Sequence, residues 1–337
     1  MIEVSALSKS YGNHLAVDNV SFTINKGDVI GFLGPNGAGK STIMNIMTGY
    51  LSLTHGSVKV DGYDIVDNPE QAKKRIGYLP EIPPVYIDMT VKEYLYFMYD
   101  LKKVKFPKKP HIDEIAKLVK LENVMDRIIK NLSKGYRQRV GIAQALIGNP
   151  DVLILDEPTV DLDPKQIIEI RNLIARLGKN HTVILSSHIL SEVQEVCKRI
   201  IIINKGKIIA DDTPDKLSQG LSTDHSLHLR VTGGEEDLKK ILCSVPGVKS
   251  VVSLGSKEAG SCDFNVEPKT GHDIRAAVSQ RLSERGKTIL IMASNEMNLE
   301  QIFLRLTEMS DNGQEFFMTQ NNGESEISDN TEEEEEI

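Results

Sequence analysis

A glycine-rich segment near the start of the chain has the spacing GxxxxGK[ST], which is typical of phosphate binding. The segment reads Gly34, Pro35, Asn36, Gly37, Ala38, Gly39, Lys40, Ser41 and Thr42. Glycines allow a tight turn that points several backbone N–H groups into one concavity, and a following helix adds partial positive charge. In this pattern Lys40 bridges the β- and γ-phosphates and the Ser41 hydroxyl ligates magnesium. The segment therefore predicts a site for a nucleoside triphosphate with Mg²⁺.

Two adjacent carboxylates follow an apolar run later in the chain. Val152–Leu155 leads directly into Asp156 and Glu157, and ligands of open α/β sheets bind at the carboxyl ends of the strands. We expect Asp156 to hold the magnesium ion, directly or through water. We expect Glu157 to orient and deprotonate a water that attacks the γ-phosphate. An ordinary strand exit is the alternative, and the glycine-rich segment favours the catalytic interpretation.

Elements of two kinds must position these motifs. Apolar runs predict strands at Asp28–Leu33, Val152–Leu155, Thr182–Leu185 and Ile200–Ile203. Helical spacing covers Ser41–Met47, Lys165–Leu177 and Leu190–Cys197. Short buried strands that alternate with helices indicate a mostly parallel sheet covered on both faces, so the predicted fold class is α/β.

Three parts of the chain depart from this alternation. Glu3–Ala6, Val20–Ile24 and Ser57–Val60 alternate apolar and polar residues, as half-buried antiparallel strands do. A purely helical pattern begins near Met89, and we place a helical insert at about residues 89–145. After Gly220 the predicted order is strand, helix, strand, strand, helix, strand, which is the ferredoxin-like arrangement.

These patterns divide the chain into three parts. We predict a first domain over residues 1–220, a small α+β domain over 221–308 and an acidic disordered tail over 309–337. The segment from Glu308 to Ile337 holds eleven acidic residues and no Lys or Arg. The other residues carry 37 acidic against 40 basic side chains, so the formal charge of −8 comes from this tail.

Composition excludes several classes of protein. A nearly neutral body is unlike a strongly basic nucleic-acid binder, so no nucleic-acid partner is expected. No apolar run approaches the roughly 18 residues that span a membrane. The three cysteines are odd in number and widely spaced, which does not favour a disulfide scaffold and fits a reducing cytoplasm.

The order of the motifs resembles the ATP-binding cassette (ABC) family. Leu132–Gln138 reads LSKGYRQ and precedes the two carboxylates, while Ser187 and His188 follow them. In isolation Ser133 would be only a helix N-cap. The resemblance covers roughly Met1 to Gln219 and implies the P-loop NTPase cassette, with an antiparallel β subdomain and a helical insert. Within the family, the chain is most similar to bacterial type-two exporter and gliding-motility ATPases.

The resemblance implies ATP as the nucleotide and assigns further residues. Tyr11 matches the aromatic residue that stacks on adenine, and His188 matches the histidine that contacts the γ-phosphate. Glu81 stands where the family commonly has glutamine. A carboxylate can also ligate magnesium, but it adds negative charge beside the phosphates.

Other matched residues imply a second copy of the chain. Ser133 and Gly135 match the signature that contacts the γ-phosphate across a dimer interface, and Asp163 matches the loop that links the two sites. Lys134 and Tyr136 depart from the commonest form of the signature, LSGGQ. Two copies are expected to close head to tail around ATP.

The expected function is the ATP-hydrolysing subunit of a membrane transporter, most similar to exporters. The family then implies a separate membrane-spanning permease, contacted through Pro80–Met89, and a peripheral location on the cytoplasmic face of the membrane. The alternative is a soluble ATPase of this family that acts in translation or DNA repair; the single signature and the short insert do not favour it. A GTPase is also not favoured, since Asn204–Lys207 lacks the Asp of a guanine reader. For the C-terminal domain we expect dimer support, with regulation or simple packing as alternatives.

Overall fold

The computed structural model describes residues 1–220, 226–269, 273–294, 301–304 and 306–307. These residues fall into two compact units, one formed by Met1–Pro214 with the segment from Leu306, and one by Asp215–Arg305. This division lies six residues before the boundary expected at residue 220, and the domain ranges stay a prediction. The predicted tail over 309–337 lies outside the described residues.

The strands and helices of the first unit follow the predicted alternation. The strands are β1 Ile2–Tyr11, β2 His14–Ile24, β3 Val29–Leu33, β4 His55–Val60, β5 Tyr63–Asp64, β6 Ile76–Leu79, β7 Val152–Leu155, β8 Thr182–Ser187, β9 Arg199–Asn204 and β10 Lys207–Asp212. The helices are α1 Lys40–Met47, α2 Pro69–Lys74, α3 Val91–Leu101, α4 Lys108–Leu118, α5 Lys134–Leu146, α6 Pro164–Leu177 and α7 Leu190–Gln194, and α8 Pro214–Gly220 follows at the division.

A six-stranded sheet forms the centre of this unit, with the strand order β10-β9-β3-β8-β7-β6. All neighbours are parallel except β10, which is antiparallel to β9. Every residue of β3, β7 and β8 is buried, as expected for strands covered on both faces. The register pairs Leu33 with Ser187 and Leu155 with both Leu79 and Leu185. Four strands therefore end at one edge, and the predicted α/β class is confirmed.

The antiparallel subdomain is a second sheet with the order β2-β1-β4-β5. Its apolar side chains share one core with the central sheet. Phe22 of β2 and Phe32 of β3 meet edge to face, with ring centroids 5.3 Å apart, a geometry that aromatic pairs prefer. Tyr11 is the last residue of β1, at the turn into β2. Because the two sheets share one core, their packing determines where Tyr11 lies relative to the central sheet.

The predicted helical insert consists of α3, α4 and α5 with two short 3-10 turns, Glu122–Val124 and Ile129–Asn131. A capping box begins α3, in which Thr90 accepts from the N–H of Glu93 and the Glu93 carboxylate accepts from the N–H of Thr90. The hydroxyl of Ser133 accepts from the N–H of Tyr136 and caps α5. The signature segment thus forms the first turn of a helix.

The second unit has the predicted ferredoxin-like order. Its elements are β11 Leu227–Thr232, α9 Glu235–Cys243, β12 Val248–Gly255, β13 Ser261–Pro268, α10 Arg275–Glu284 and β14 Ile289–Ser294. The sheet is antiparallel with the order β12-β13-β11-β14. Phe264 and Leu229 are fully buried in a core that this sheet shares with its two helices. The helix predicted at Leu299–Leu306 is described in part, because residues 301–304 and 306–307 are helical.

No helix in the described part of the chain combines the length and the apolar character that crossing a membrane requires.

Candidate nucleotide-binding site

The glycine-rich segment forms a turn between β3 and α1. Gly37 and Gly39 have φ angles of 82° and 107°, in the region that favours glycine. A Cβ at Gly34 would lie 2.3 Å from the carbonyl oxygen of Ile203, so the backbone passes too close to β9 for a side chain. Within the described residues, no protein acceptor pairs with the N–H groups of Gly37, Gly39, Lys40 or Ser41. These donors open a cradle for an anion at the start of α1.

The side chain of Lys40 folds back across this cradle and is buried. Its Nζ donates to the carbonyl oxygens of Gly34, at 2.6 Å, and Pro35, at 3.2 Å. Burial lowers the pKa of Lys40, and the nearby carboxylates of Glu157, Asp156 and Glu81 oppose that shift in decreasing order. The ammonium group thus lies between the phosphate cradle and the acidic edge of the sheet.

The acidic edge forms where β7 and β8 end side by side. The hydroxyl of Ser186 donates to Oδ1 of Asp156 at 2.5 Å and accepts from the N–H of Glu157 at 2.8 Å. Glu157 has a φ of 46°, a left-handed conformation that is uncommon for a residue with a side chain and often marks a functional site. Ser186 therefore fixes both carboxylate residues from the neighbouring strand.

His188 and Lys40 approach the carboxylate of Glu157 from two sides. The Nδ1 atom of His188 lies 3.0 Å from Oε2 of Glu157, and Nζ of Lys40 lies 3.9 Å from Oε1. Glu157 is 8% exposed, whereas Glu81 is exposed. An imidazole within hydrogen-bond distance of a mostly buried carboxylate that lines a cleft is an arrangement that suits a general base.

A cleft of about 500 Å³ brings most of the predicted residues together. Its lining is formed by Tyr11, His14, Ala16, Asn36, Gly37, Ala38, Gly39, Lys40, Ser41, Thr42, Glu81, Glu157, Val160 and His188. Tyr11 is about half exposed, and Nζ of Lys9 lies over its ring, 5.2 Å from the centroid. Gly34, Pro35 and Asp156 do not line the cleft. Lys40, which does, donates to the carbonyl oxygens of Gly34 and Pro35, and Asp156 directly precedes Glu157 in the chain.

Three further predicted residues, Ser133, Gly135 and Asp163, also lie outside this cleft. Ser133 and Gly135 begin α5, and Asp163 caps α6 by accepting from the N–H of Gln166 at 2.9 Å. A Cβ at Gly135 would lie 2.5 Å from the side chain of Gln166. The structure thus places the signature and the Asp163 loop beside each other and apart from the phosphate cradle of the same chain.

Sequence reasoning missed Ser186 and His14. Ser186 lies at the end of β8, just before Ser187 and His188. Because the ends of neighbouring parallel strands lie at one edge of the sheet, a serine at this position could have been predicted to lie near Asp156 and Glu157. His14 pairs with Tyr11 across the turn between β1 and β2. No local pattern singles it out, because only the packing of the two sheets brings this turn to the cradle.

Comparison with known proteins gives one consistent result. The profile of the family described as ABC transporter matches residues 17–160. The bacitracin transport ATP-binding protein of Bacillus licheniformis is 38% identical over 221 residues, which cover 65% of this chain and 72% of that protein. The Nod factor export ATP-binding protein I of Sinorhizobium fredii is 34% identical over 322 residues, which cover 92% of this chain and 87% of that protein.

A solved structure extends the comparison to the fold. It is a dimeric post-hydrolysis state of an ATP-binding cassette bound to ADP and phosphate, with a TM-score of 0.58 and 27% identity. The match covers 63% of this chain and 98% of that one. The chain therefore belongs to the ABC transporter family, as one of its ATP-binding, ATP-hydrolysing proteins.

Proposed function

We propose that the chain hydrolyses ATP in the cleft between the glycine-rich turn and the strand ends, as the ATPase subunit of an exporter. The cradle N–H groups and Lys40 bind the phosphates, and Tyr11 stacks on the adenine. Glu157 removes a proton from the attacking water, and His188 orients that carboxylate and contacts the γ-phosphate. The observation that carries the proposal is the cleft itself, which joins Tyr11, Lys40, Glu157 and His188.

The oxygen donors beside the cradle fit a magnesium ion. Mg²⁺ in nucleotide sites is held by one or two carboxylates, a hydroxyl and the substrate phosphates, with no need for an all-protein cage. These oxygens would come from Ser41, Asp156 and Glu81. Among the residues that the structure describes, no group of three or more His, Cys, Asp or Glu could hold a metal by itself, so the substrate phosphates would complete the site. When bound, the ion would neutralise charge on the β- and γ-phosphates.

The simplest test of hydrolysis is Glu157→Gln in the full chain. The variant should bind ATP with unchanged affinity, because the cradle is untouched, and release phosphate about 100- to 10,000-fold more slowly, because a general base is lost. Glu70→Gln, an exposed change on α2, is the matched control. Phosphate release at the unaltered rate would contradict the role of Glu157.

We further propose that two copies close head to tail around ATP. Ser133, Gly135 and Asp163 lie outside the cleft of their own chain, so the γ-phosphate can meet the signature only if a second copy supplies it. The family comparison supports a dimer as well, since the solved cassette is dimeric. ATP then favours the closed state because its γ-phosphate makes contacts that ADP lacks.

Sedimentation of the hydrolysis-deficient chain tests this arrangement. Glu157→Gln with ATP should sediment as a dimer, and adding Ser133→Arg should return it to a monomer, because a long cation cannot fit at the signature contact. Ser283→Arg, on an exposed face of α10, should leave the dimer intact. A dimer that persists with Ser133→Arg would rule out the head-to-tail arrangement.

We propose that the chain has a separate membrane-spanning permease as its partner and lies peripherally at the cytoplasmic face of the membrane. Ile82, Tyr86 and Ile87 project from the segment after Glu81, and each is more than half exposed. Phe97 of α3 continues this surface, with its ring 5.5 Å from that of Tyr86. Exposed apolar patches of this kind mark interaction sites, and the segment is directly connected to the cleft through Glu81.

Membrane association in cells tests the permease contact. Tyr86→Asp combined with Ile87→Asp should release the chain from the membrane fraction while ATP binding by the purified chain is retained. Val66→Asp, an exposed apolar residue outside this segment, should change neither property. Undiminished membrane association would contradict the contact. The soluble alternative in translation or DNA repair is not favoured, because the relatives are named for transport and export.

A further inference from the structure

A buried carboxylate, Glu192, lies behind the Glu157–His188 pair. It belongs to α7, and 6% of its surface is exposed. Its Oε2 accepts one hydrogen bond from the Thr159 hydroxyl and another from the Ser187 hydroxyl at 3.3 Å. Glu192 makes no ion pair with any described residue, whereas Glu157 pairs with His188 and Glu195 pairs with Arg171.

Packing alone does not explain a carboxylate at this position. A buried charge destabilises a folded chain unless hydrogen bonds satisfy it, and an apolar side chain would continue the buried face that α7 forms with Leu190 and Val193. The role of the Glu192 carboxylate must therefore lie in the two hydrogen bonds that it accepts, from Thr159 and Ser187. Those bonds reach two separate segments of the candidate site.

The first segment is the turn after β7. Thr159 is two residues beyond Glu157, and both are buried. The left-handed φ of 46° at Glu157 costs free energy and persists only where the surroundings fix it. The bond from Thr159 to Glu192 anchors the far side of this turn, while Ser186 anchors its near side.

The second segment is the loop that carries His188. Ser187 precedes this histidine, donates to Glu192 and accepts from the N–H of Ile189 at 3.0 Å. The Ser187 side chain therefore links the backbone before His188 to the backbone after it, and Glu192 holds that side chain. Glu192 connects this loop to the turn of Glu157 through its hydrogen bonds with Thr159 and Ser187.

We propose that Glu192 is a positioning residue for ATP hydrolysis. It keeps the turn after Glu157 and the His188 loop in one arrangement, so that the carboxylate and the imidazole remain within hydrogen-bond distance. Glu192 does not line the cleft, so it acts through the other two residues. The inference rests on the proposed function of Glu157 and His188.

Single-turnover phosphate release by the full chain tests the proposal. Glu192→Ala should slow hydrolysis by about tenfold to a hundredfold, the loss that a misplacement near 1 Å causes. ATP affinity should stay within about twofold, because Glu192 does not line the cleft. Glu192→Gln keeps one acceptor oxygen and should lose less. Thr159→Val, which removes the donor from the other side with little change in volume, should also slow hydrolysis. Glu195→Gln, whose exposed carboxylate pairs with Arg171, should behave as the wild type.

A double-mutant cycle separates positioning from general structural damage. When His188→Ala is already present, Glu192→Ala should slow hydrolysis only a few-fold more, because residues that act as one unit are not additive. Losses that multiply, a parallel loss of ATP affinity, or wild-type turnover in both Glu192→Ala and Thr159→Val would each overturn the proposal. Stalled Glu157→Gln together with unaltered Glu192→Ala would remove this inference alone, whereas active Glu157→Gln would remove the proposed function.

Discussion

The imidazole Nδ1 of His188 lies 3.0 Å from Oε2 of Glu157, although 30 residues separate the two along the chain. The second oxygen of this carboxylate faces Lys40 at 3.9 Å. One acidic side chain therefore joins the glycine-rich turn, the end of β7 and the loop after β8. Changes in any of these segments have distinct expected effects on nucleotide binding, hydrolysis and stability.

Lys40→Ala should weaken ATP binding by about tenfold to a hundredfold. The lysine contributes hydrogen bonds from a charged donor, each worth roughly 1.5–3 kcal/mol, and a factor of ten in affinity corresponds to about 1.4 kcal/mol. Isothermal titration calorimetry measures the change. The exposed Lys26→Ala should bind ATP as the wild type does, and an unchanged affinity in Lys40→Ala would remove this lysine from the site.

Glu81→Gln should tighten binding of ATP without magnesium by about fivefold, because a repulsion of roughly 1 kcal/mol between like charges is removed. With magnesium present the gain should shrink or reverse, because the variant also loses an anionic oxygen donor for the ion. Titrations with and without Mg²⁺ compare the two cases. An equal gain with and without Mg²⁺ would show that Glu81 does not act on the ion. An unchanged affinity in both titrations would show that it acts on neither the phosphates nor the ion.

Gly39→Ala should destabilise the chain more than Gly37→Ala. Both residues have a left-handed φ, which costs a residue with a side chain about 1–2 kcal/mol. A Cβ at Gly39 would also lie 2.8 Å from the carbonyl oxygen of Ala16, whereas a Cβ at Gly37 would meet nothing within 4 Å. Urea denaturation of both variants gives the two free energies of unfolding. Equal values would mean that the contact with Ala16 relaxes without cost.

Because Lys102 is buried, we expect the free energy of unfolding to depend on pH in the alkaline range. Its Nζ donates to the carbonyl oxygens of Gln144 and Ile147 at the end of α5, and burial lowers its pKa from 10.5 to about 8. As pH rises from 8 to 10.5, the unfolded chain still holds a proton that the folded chain releases. The contribution of Lys102 to the free energy of unfolding therefore rises with pH in this window and is constant below it.

Comparison with Lys102→Met isolates this contribution. The difference in unfolding free energy, wild type minus variant, should rise by about 1 kcal/mol per pH unit between pH 8 and 10. Urea denaturation at several pH values measures it, with the exposed Lys103→Met as the control. Parallel pH dependences of the wild type and Lys102→Met would contradict the lowered pKa.

Local patterns predicted the elements with small errors at their ends. The helix expected at Ser41–Met47 begins at Lys40, and the strand expected at Asp28–Leu33 begins at Val29. The helix expected at Leu190–Cys197 ends at Gln194, because the chain turns there to enter β9. Element type follows from the spacing of apolar residues over a few turns, but the last residue depends on the packing of neighbouring segments.

Local sequence is enough to recognise the glycine-rich turn, the carboxylates at a strand end and the helix cap at Ser133, because each depends on residues that are close along the chain. Which of these groups meet depends on how distant segments pair. The parallel pairing of β7 with β8 brings Glu157 to His188 and Ser186, and the same edge brings Glu192 behind them. Pairing of this kind depends on backbone hydrogen bonds and burial between distant segments, which no local spacing encodes.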